Sequence, residues 1–286
     1  MRFAVNVPNF GEYADPAAFV ALARDTEEAG WDALFIWDHI LIWDGNVVAD
    51  PWILLAAAAT ATERIKLGPM VTPLPRRRPW VVARQAVTLD HLSNGRVILG
   101  VGIGYPPGPE FRDFGEVTDE RTRADMLDEG LAIITGMWSG EPFRHRGEHY
   151  RLAKHTFLPA PVQQPRIPIW VAGMWPNRRP FRRAARYDGL VPMMAPDGGW
   201  VETTPADLAA MKAYVDEHRS GEDGYDVAWF GDYPAASDEA AALVTGLAAA
   251  GGPRIAMLGQ HEGKNHAEVN IGRCRLCEPG GGGGGR

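Results

Sequence analysis

The feature that most limits the fold is one short programme repeated along the chain: an apolar strand, a polar loop, then a helix opened by a capping residue. The first strand is Phe3 to Val7. The helix after it has Asp15 as N-cap and Pro16 at its first position, carries Phe19, Leu22 and Ala23 on one face, and stops at Gly30. The strand Ala33 to Trp37 precedes a helix opened by Asp50-Pro51 that runs through Ile53-Leu54-Leu55. The strand Ile65 to Val71 precedes a helix from Pro79 that carries Val82, Ala86 and Leu89 and ends before Gly95. Val97 to Val101 is the fourth strand. Further on come the strand Ile169 to Ala172, a basic helix from Arg178 to Tyr187, and the strand Gly189 to Pro192. A helix from Thr204-Pro205 to about His218, the strand Val227 to Phe230 and a helix from Ser237 to Gly251 complete seven units. Alternation of this kind makes a parallel sheet with helices outside. An open doubly wound sheet is the rival, but no G-x-G-x-x-G follows the first strand, and one unbroken series favours an α/β fold of the (β/α)8 TIM-barrel type with an atypical C-terminal eighth unit.

A barrel accounts for the chain's 286 residues as one domain. Residues 1–252 are read as the barrel, with a lid-like insertion at about 104–167. That insertion holds a helix, Thr118 to Trp138, and then an irregular stretch bearing prolines and histidines. Residues 253–286 depart from the pattern. Ile255 to Leu258 suits a short strand, but no amphipathic helix follows, and six consecutive glycines cannot pack. A divergent, disordered glycine-rich tail is expected there. With 29 Lys+Arg against 36 Asp+Glu, net charge −7, there is no global pull toward nucleic acid or an anionic membrane. No apolar run approaches roughly 20 residues, so no spanning helix is expected. The opening MRFAVNVPNFG reads as a buried strand, not a signal peptide. Only Cys274 and Cys277 are present, which excludes a disulfide framework and makes a cytoplasmic location the expectation.

In a barrel, chemistry sits where strands end and βα loops begin. That rule selects Asn9, Phe10 and Gly11; Trp37-Asp38-His39 and Trp43; Pro69-Met70-Val71-Thr72-Pro73; Gly102-Ile103-Gly104-Tyr105; and Ala172-Gly173-Met174-Trp175-Pro176 with Arg178 and Arg179. Asp38 beside His39 suits an oriented acid or base, or else a loop cap next to an ordinary loop histidine. Gly173 allows a backbone to approach a ligand closely, and Pro176 suits a first helical turn whose N–H groups favour phosphate. Arg178, Arg179, Arg182 and Arg183 follow, of which at most one or two can point inward. Arg76-Arg77-Arg78 is a second candidate anion site. Phe10, Trp37, Trp43, Tyr105 and Trp175 suit the walls of a flat ring. Glu110 reads as a solvated loop carboxylate. His145 and His149 are separated by a glycine in an irregular stretch, and Cys274-x-x-Cys277 has no second ligand pair, so no metal is expected.

The chain resembles the luciferase-like flavin- and deazaflavin-dependent oxidoreductases over about residues 1–250. The resemblance is carried by GWDALFIWDHI, IKLGPMVTPLPRRRPWVVARQAVTLDHLSNGRVILGVGIGY, EFRDFGEVTDER, GMWSGEPFRHRGEHYRL, PAPVQQPRIPIWVAG and the DGL turn. It implies a flavin-type ring at the barrel mouth, either reduced FMN or the deazaflavin coenzyme F420. Asp38, His39 and Trp43 are implied as catalytic. Tyr105 stands where the sugar-phosphate dehydrogenase branch has a glutamate. The implied cofactor-binding residues are Asn9, Pro69, Met70, Val71, Thr72, Gly102, Gly104, Ala172, Gly173, Met174 and Arg178. A non-prolyl cis peptide is expected between Pro69 and Met70. The implied activity is a luciferase-like monooxygenase acting on a small organic substrate, with deazaflavin-dependent hydride transfer as the alternative. A flavin-binding protein without turnover, and a different barrel enzyme for a phosphorylated metabolite, stay open. Expected partners are a small-molecule substrate, a separate flavin reductase and a second copy of the chain.

Overall fold

The structure, a computed structural model, describes residues 2–196, 198–221, 224–231 and 255–259. β1 (Arg2–Val7), β2 (Ala33–Ile36) and β3 (Lys66–Pro69) are parallel neighbours, with Ala4 opposite Ala33 and Ala33 opposite Lys66. β4 (Thr72–Pro73) extends the line of β3 and pairs Thr72 with Val101 of β5 (Leu99–Gly102). An antiparallel hairpin, β6 (Phe143–Arg146) and β7 (Arg151–His155), follows outside the main sheet. The sheet resumes with β8 (Ile169–Trp175), β9 (Gly189–Met194) and β10 (Asp226–Gly231). β11 (Ile255–Gly259) lies between β10 and β1, and its Ile255 pairs with both Ala228 and Arg2. At the sheet's other end a parallel bridge joins Leu67 to Val97, and the Ile98 N–H donates to the Leu67 carbonyl at 3.0 Å. The two ends of the sheet therefore meet, and eight parallel strands (β1, β2, β3, β5, β8, β9, β10, β11) form a ring.

The short strand expected at Ile255 to Leu258 forms as β11, past the expected boundary at residue 252. The last strand of the ring is supplied by Ile255–Gly259, because β1 and β10 otherwise face each other with unpaired edges. The helix expected from Ser237 to Gly251 lies outside the described residues, as does the chain after Gly259.

Strand parity sorts the core into two shells. Phe3, Val5 and Val7 of β1 point outward into the cluster shared with the helices, while Ala4 points inward. The inner cluster is Ala4, Ala33, Phe35, Met70, Ile98, Trp170, Val191 and Ala228, all buried. Ala4, Ala33 and Ala228 make room for Phe35 and Trp170 inside a narrow barrel.

The helices form where the caps predict. In α1 (Pro16–Glu28) the Asp15 carboxylate accepts the Ala17 N–H, and in α2 (Pro51–Ala61) Asp50 accepts those of Trp52 and Ile53. α3 (Pro79–Leu92) opens with its proline and is followed by Gly95 at φ +78°. α4 (Glu120–Trp138) is capped by Asp119. α5 (Arg178–Ala184) is capped by Asn177, so Pro176 precedes the helix instead of opening it. α6 (Pro205–Asp216) carries a capping box between Thr204 and Asp207. Within the insertion expected as a lid, Leu127, Leu131, Ile134, Met137 and Trp138 of α4 are buried in the outer core, and α4 packs against α3.

Candidate functional site

The C-terminal strand ends carry a buried charge network that no local pattern announces. Asp38, just past β2, is fully buried. Its carboxylate accepts the Thr72 hydroxyl at 3.0 Å and an Arg77 N–H at 2.6 Å. Arg76 donates to the Asp38 carbonyl at 2.8 Å and forms an ion pair with Glu110. Glu110 is 1% exposed, which corrects the solvated reading: its carboxylate also accepts the N–H groups of Ile40 (3.1 Å) and Leu41 (2.9 Å). Burial pushes the Arg76 guanidinium down to about 10, with Asp38 opposing the shift, so it stays charged at neutral pH. The arginine run is therefore no free anion site. Arg76 and Arg77 meet the chain's own carboxylates, and Arg78 lies over the Trp80 ring.

His39 stands on the other side of Glu110. Its Nδ1 is 3.4 Å from Glu110 Oε1, and its side chain is 20% exposed. Asn9 fixes the backbone of this loop, accepting the His39 N–H (3.1 Å) while donating to the His39 and Ala49 carbonyls (2.8 and 2.7 Å). Phe10 meets Trp37, His39 and Trp43 edge-on, at 5.9, 6.1 and 5.5 Å between centroids, and Trp43 is half exposed. Asp38 and His39 thus diverge: Asp38 anchors the two arginines, and His39 faces the mouth with a carboxylate behind it.

Phe111 explains how Glu110 arrives there. It is 1% exposed, lies under the guanidinium of Arg123 (4.6 Å), and has Arg76 at 5.8 Å on its ring. Arg123, buried on α4, donates to the carbonyls of Ile103 and Gly104 at 2.9 and 2.7 Å, and so holds the loop after β5. A Cβ on Gly104, at φ +85°, would lie 2.5 Å from the Phe111 ring. Gly102 packs against Val71. The non-prolyl cis peptide joins Met70 to Val71, one bond later than expected, because the Met70 N–H still completes the ladder to Ile36 at 2.7 Å.

At the end of β8, a Cβ on Gly173 would come within 2.7 Å of Pro180, so this glycine makes room for α5. Arg183 and Arg186 pair with Asp128, and Arg179 with Asp125 and Asp128, all on α4. Arg182 donates to the Tyr214 hydroxyl. Arg178 instead lies flat over Trp175 (3.5 Å) and Tyr214 (4.6 Å). Ala172 packs against the inner core, and Met174 is partly exposed beyond it.

Following the pairing register around the ring, with alternate strands contributing to each layer, Asn6 shares a layer with Met70, Ala172 and Phe230. Trp37, Gly102 and Met193 lie in the layer above, at the mouth. Asn6 is 1% exposed, and its carboxamide oxygen has no hydrogen-bond partner among the described residues. An otherwise apolar layer just under the mouth with one unmet polar group suits a flat ring with a polar edge. Among the described residues no three His, Cys, Asp or Glu side chains converge as a metal site requires, and no helix is long and apolar enough to cross a membrane.

Comparison with known proteins agrees with this architecture. The chain is 33% identical over 174 residues to an F420-dependent glucose-6-phosphate dehydrogenase of Amycolatopsis mediterranei, covering 58% of this chain and 50% of that one. It is 31% identical over 136 residues to the oxygenase component of a flavin-dependent trigonelline monooxygenase of Acinetobacter baylyi, covering 48% and 37%. Among solved structures, an F420-dependent secondary alcohol dehydrogenase in complex with an F420-acetone adduct superposes with a TM-score of 0.67 at 23% identity, over 82% of this chain and 70% of that one. The chain spans about half the length of the curated relatives it matches. A parallel α/β ring and a match of residues 1–263 to the family described as luciferase-like monooxygenase point the same way: the chain belongs to that family.

Proposed function

We propose that this protein is an oxidoreductase that holds a flavin-type cofactor, F420 or reduced FMN, at the barrel mouth and acts there on a small organic substrate. The observation that carries the reading is the His39–Glu110 pair: a partly exposed imidazole at the strand ends, backed at 3.4 Å by a buried carboxylate. The bound cofactor supplies two-electron chemistry. The chain's part is to orient, to exclude water and to move a proton. His39 Nε2 takes or returns the substrate's proton, and Glu110 stabilises the imidazolium this creates. Asn9 and the Ile40 and Leu41 N–H groups keep the pair in register. The half-exposed Trp43, Tyr105 and Trp200 make an apolar rim suited to an uncharged substrate.

Proton transfer at the substrate favours hydride transfer with F420. The family and the trigonelline monooxygenase relative support a second reading, an FMN-dependent oxygenase supplied by a separate flavin reductase. Titration of the purified protein with F420 and FMN, followed by absorbance and fluorescence, tests the site; binding of neither would sink it. Alcohol-dependent F420 reduction supports the first reading, and substrate-dependent oxygen uptake with reduced FMN the second. His39→Ala is expected to lower kcat by about 100-fold or more, the scale of a general acid–base group, with cofactor binding retained.

A further inference from the structure

We propose that Asn6 reads the polar edge of the cofactor ring from inside the barrel. This rests on the cofactor reading above and adds a contact to it. Asn6 sits in β1 between Val5 and Val7, at the inward parity shared with Ala4. It is the one hydrogen-bonding side chain in a layer otherwise made of Met70, Ala172 and Phe230, directly under the mouth. Its carboxamide oxygen is buried and has no partner among the described residues. A barrel position of this kind is ordinarily aliphatic, because a buried unmet carbonyl costs stability. The other unpartnered polar atom of the inner core, Trp170 Nε1, lies deeper, against Phe35 at 5.4 Å, and is sealed from the mouth. Asn6 has only the mouth layer of Trp37, Gly102 and Met193 above it.

The chemistry of the group names its ligand. A carboxamide places one acceptor beside one donor in a plane. That pair complements an imide, an N–H beside a C=O, which is the polar edge of the flavin ring and of the deazaflavin ring alike. The apolar neighbours accept the flat body of either ring, and Asn6 fixes which edge enters first. Asn6 is a positioning residue here; it takes no part in proton or electron transfer.

The experiment compares FMN with 3-methyl-FMN, in which the ring N–H is replaced by N–CH3, on the parent protein and on Asn6→Ala. The readout is the dissociation constant from flavin fluorescence, without turnover. The parent is expected to bind FMN about tenfold more tightly than the methylated ring, the scale of one good hydrogen bond with its buried partner left unmet. Asn6→Ala is expected to bind FMN about tenfold more weakly and to lose the discrimination. Its melting temperature should equal or exceed that of the parent, since an unmet buried carbonyl has been removed; this separates a binding role from a folding one. Asn6→Leu, which has the same branched heavy-atom skeleton, repeats the measurement should the alanine variant prove unstable. Equal affinity of the parent for both flavins, or equal discrimination by parent and variants, overturns the Asn6 assignment while leaving the cofactor reading intact. Failure of the parent to bind FMN and F420 at all overturns both.

Discussion

Replacing Glu110 with alanine should cost this protein stability as well as activity, and the size of the loss follows from its surroundings. The carboxylate is 1% exposed, and the Arg76 guanidinium it meets has a side chain only 6% exposed. Its removal leaves Arg76 with the Asp38 carbonyl and an Asp38 carboxylate oxygen 3.5 Å away that is already shared with Arg77 at 2.6 Å. Breaking a buried pair by deleting one partner typically costs about 3–5 kcal/mol. The Ile40 and Leu41 N–H groups add little, because Ile40 is 48% exposed and water replaces the lost acceptor. For a domain of this size the expected loss lowers the melting temperature by roughly 6–20 °C. Urea unfolding followed by tryptophan fluorescence measures it directly. Glu110→Gln keeps an acceptor for both N–H groups and should lose less. The double variant Glu110→Gln, Arg76→Met removes both charges and should be at least about 1 kcal/mol more stable than the sum of its single variants. A loss under about 0.5 kcal/mol for Glu110→Ala is what a solvated loop carboxylate gives, and would refute the buried network.

Two further outcomes follow from the same reasoning. Burial alone would raise the Asp128 carboxyl, but hydrogen bonds and charge from Arg183 and Arg186 hold it below the usual carboxylate range. A depressed folded value means that its stabilisation is present above the unfolded value and lost as pH falls through the folded one. Asp128→Asn should therefore cost about 1–3 kcal/mol at pH 7, and the gap to the parent should close below about pH 4 in pH-dependent urea unfolding. A chain cut after residue 252 lacks β11 and leaves one edge each of β1 and β10 unpaired, so cooperative melting should disappear, whereas a chain cut after residue 263, where the family match ends, should retain it. Parent-like melting of the shorter chain would show that Ile255–Gly259 contributes nothing to closure.

The parts of the fold legible in the sequence are those written locally. Asp15-Pro16, Asp50-Pro51, Pro79 and Thr204-Pro205 each mark a helix start to the residue, because a cap and its first turn lie within a few positions of one another. The hairpin β6–β7 has no clear alternation of polarity to read: β6 alternates half-buried Phe143 and His145 with exposed arginines, and in β7 only Leu152 is half-buried. Its turn is held from outside by Glu129, which accepts the N–H groups of Glu148, His149 and Tyr150. Glu110 was illegible for a related reason. Nothing in a loop rich in proline and glycine marks one carboxylate as buried, and its partners Ile40 and Arg76 lie 70 and 34 positions away. Asn6 did carry a signal. An amide between two valines, at the inward parity of a strand otherwise apolar there, breaks the binary pattern where a fold alone has no use for it.

The pairing of Arg2 with Ile255 sets a schedule for synthesis. β1 is made well before its neighbour β11, and at about 5–20 residues per second a nascent chain spends roughly 13–50 s between them. Throughout that interval β1 has only β2 beside it, and its other edge stays open to any extended segment nearby. The ring therefore cannot settle domain-piece by domain-piece as the chain emerges. Its yield in a cell should depend on what shields that edge while the ribosome finishes, more than on how stable the completed barrel is.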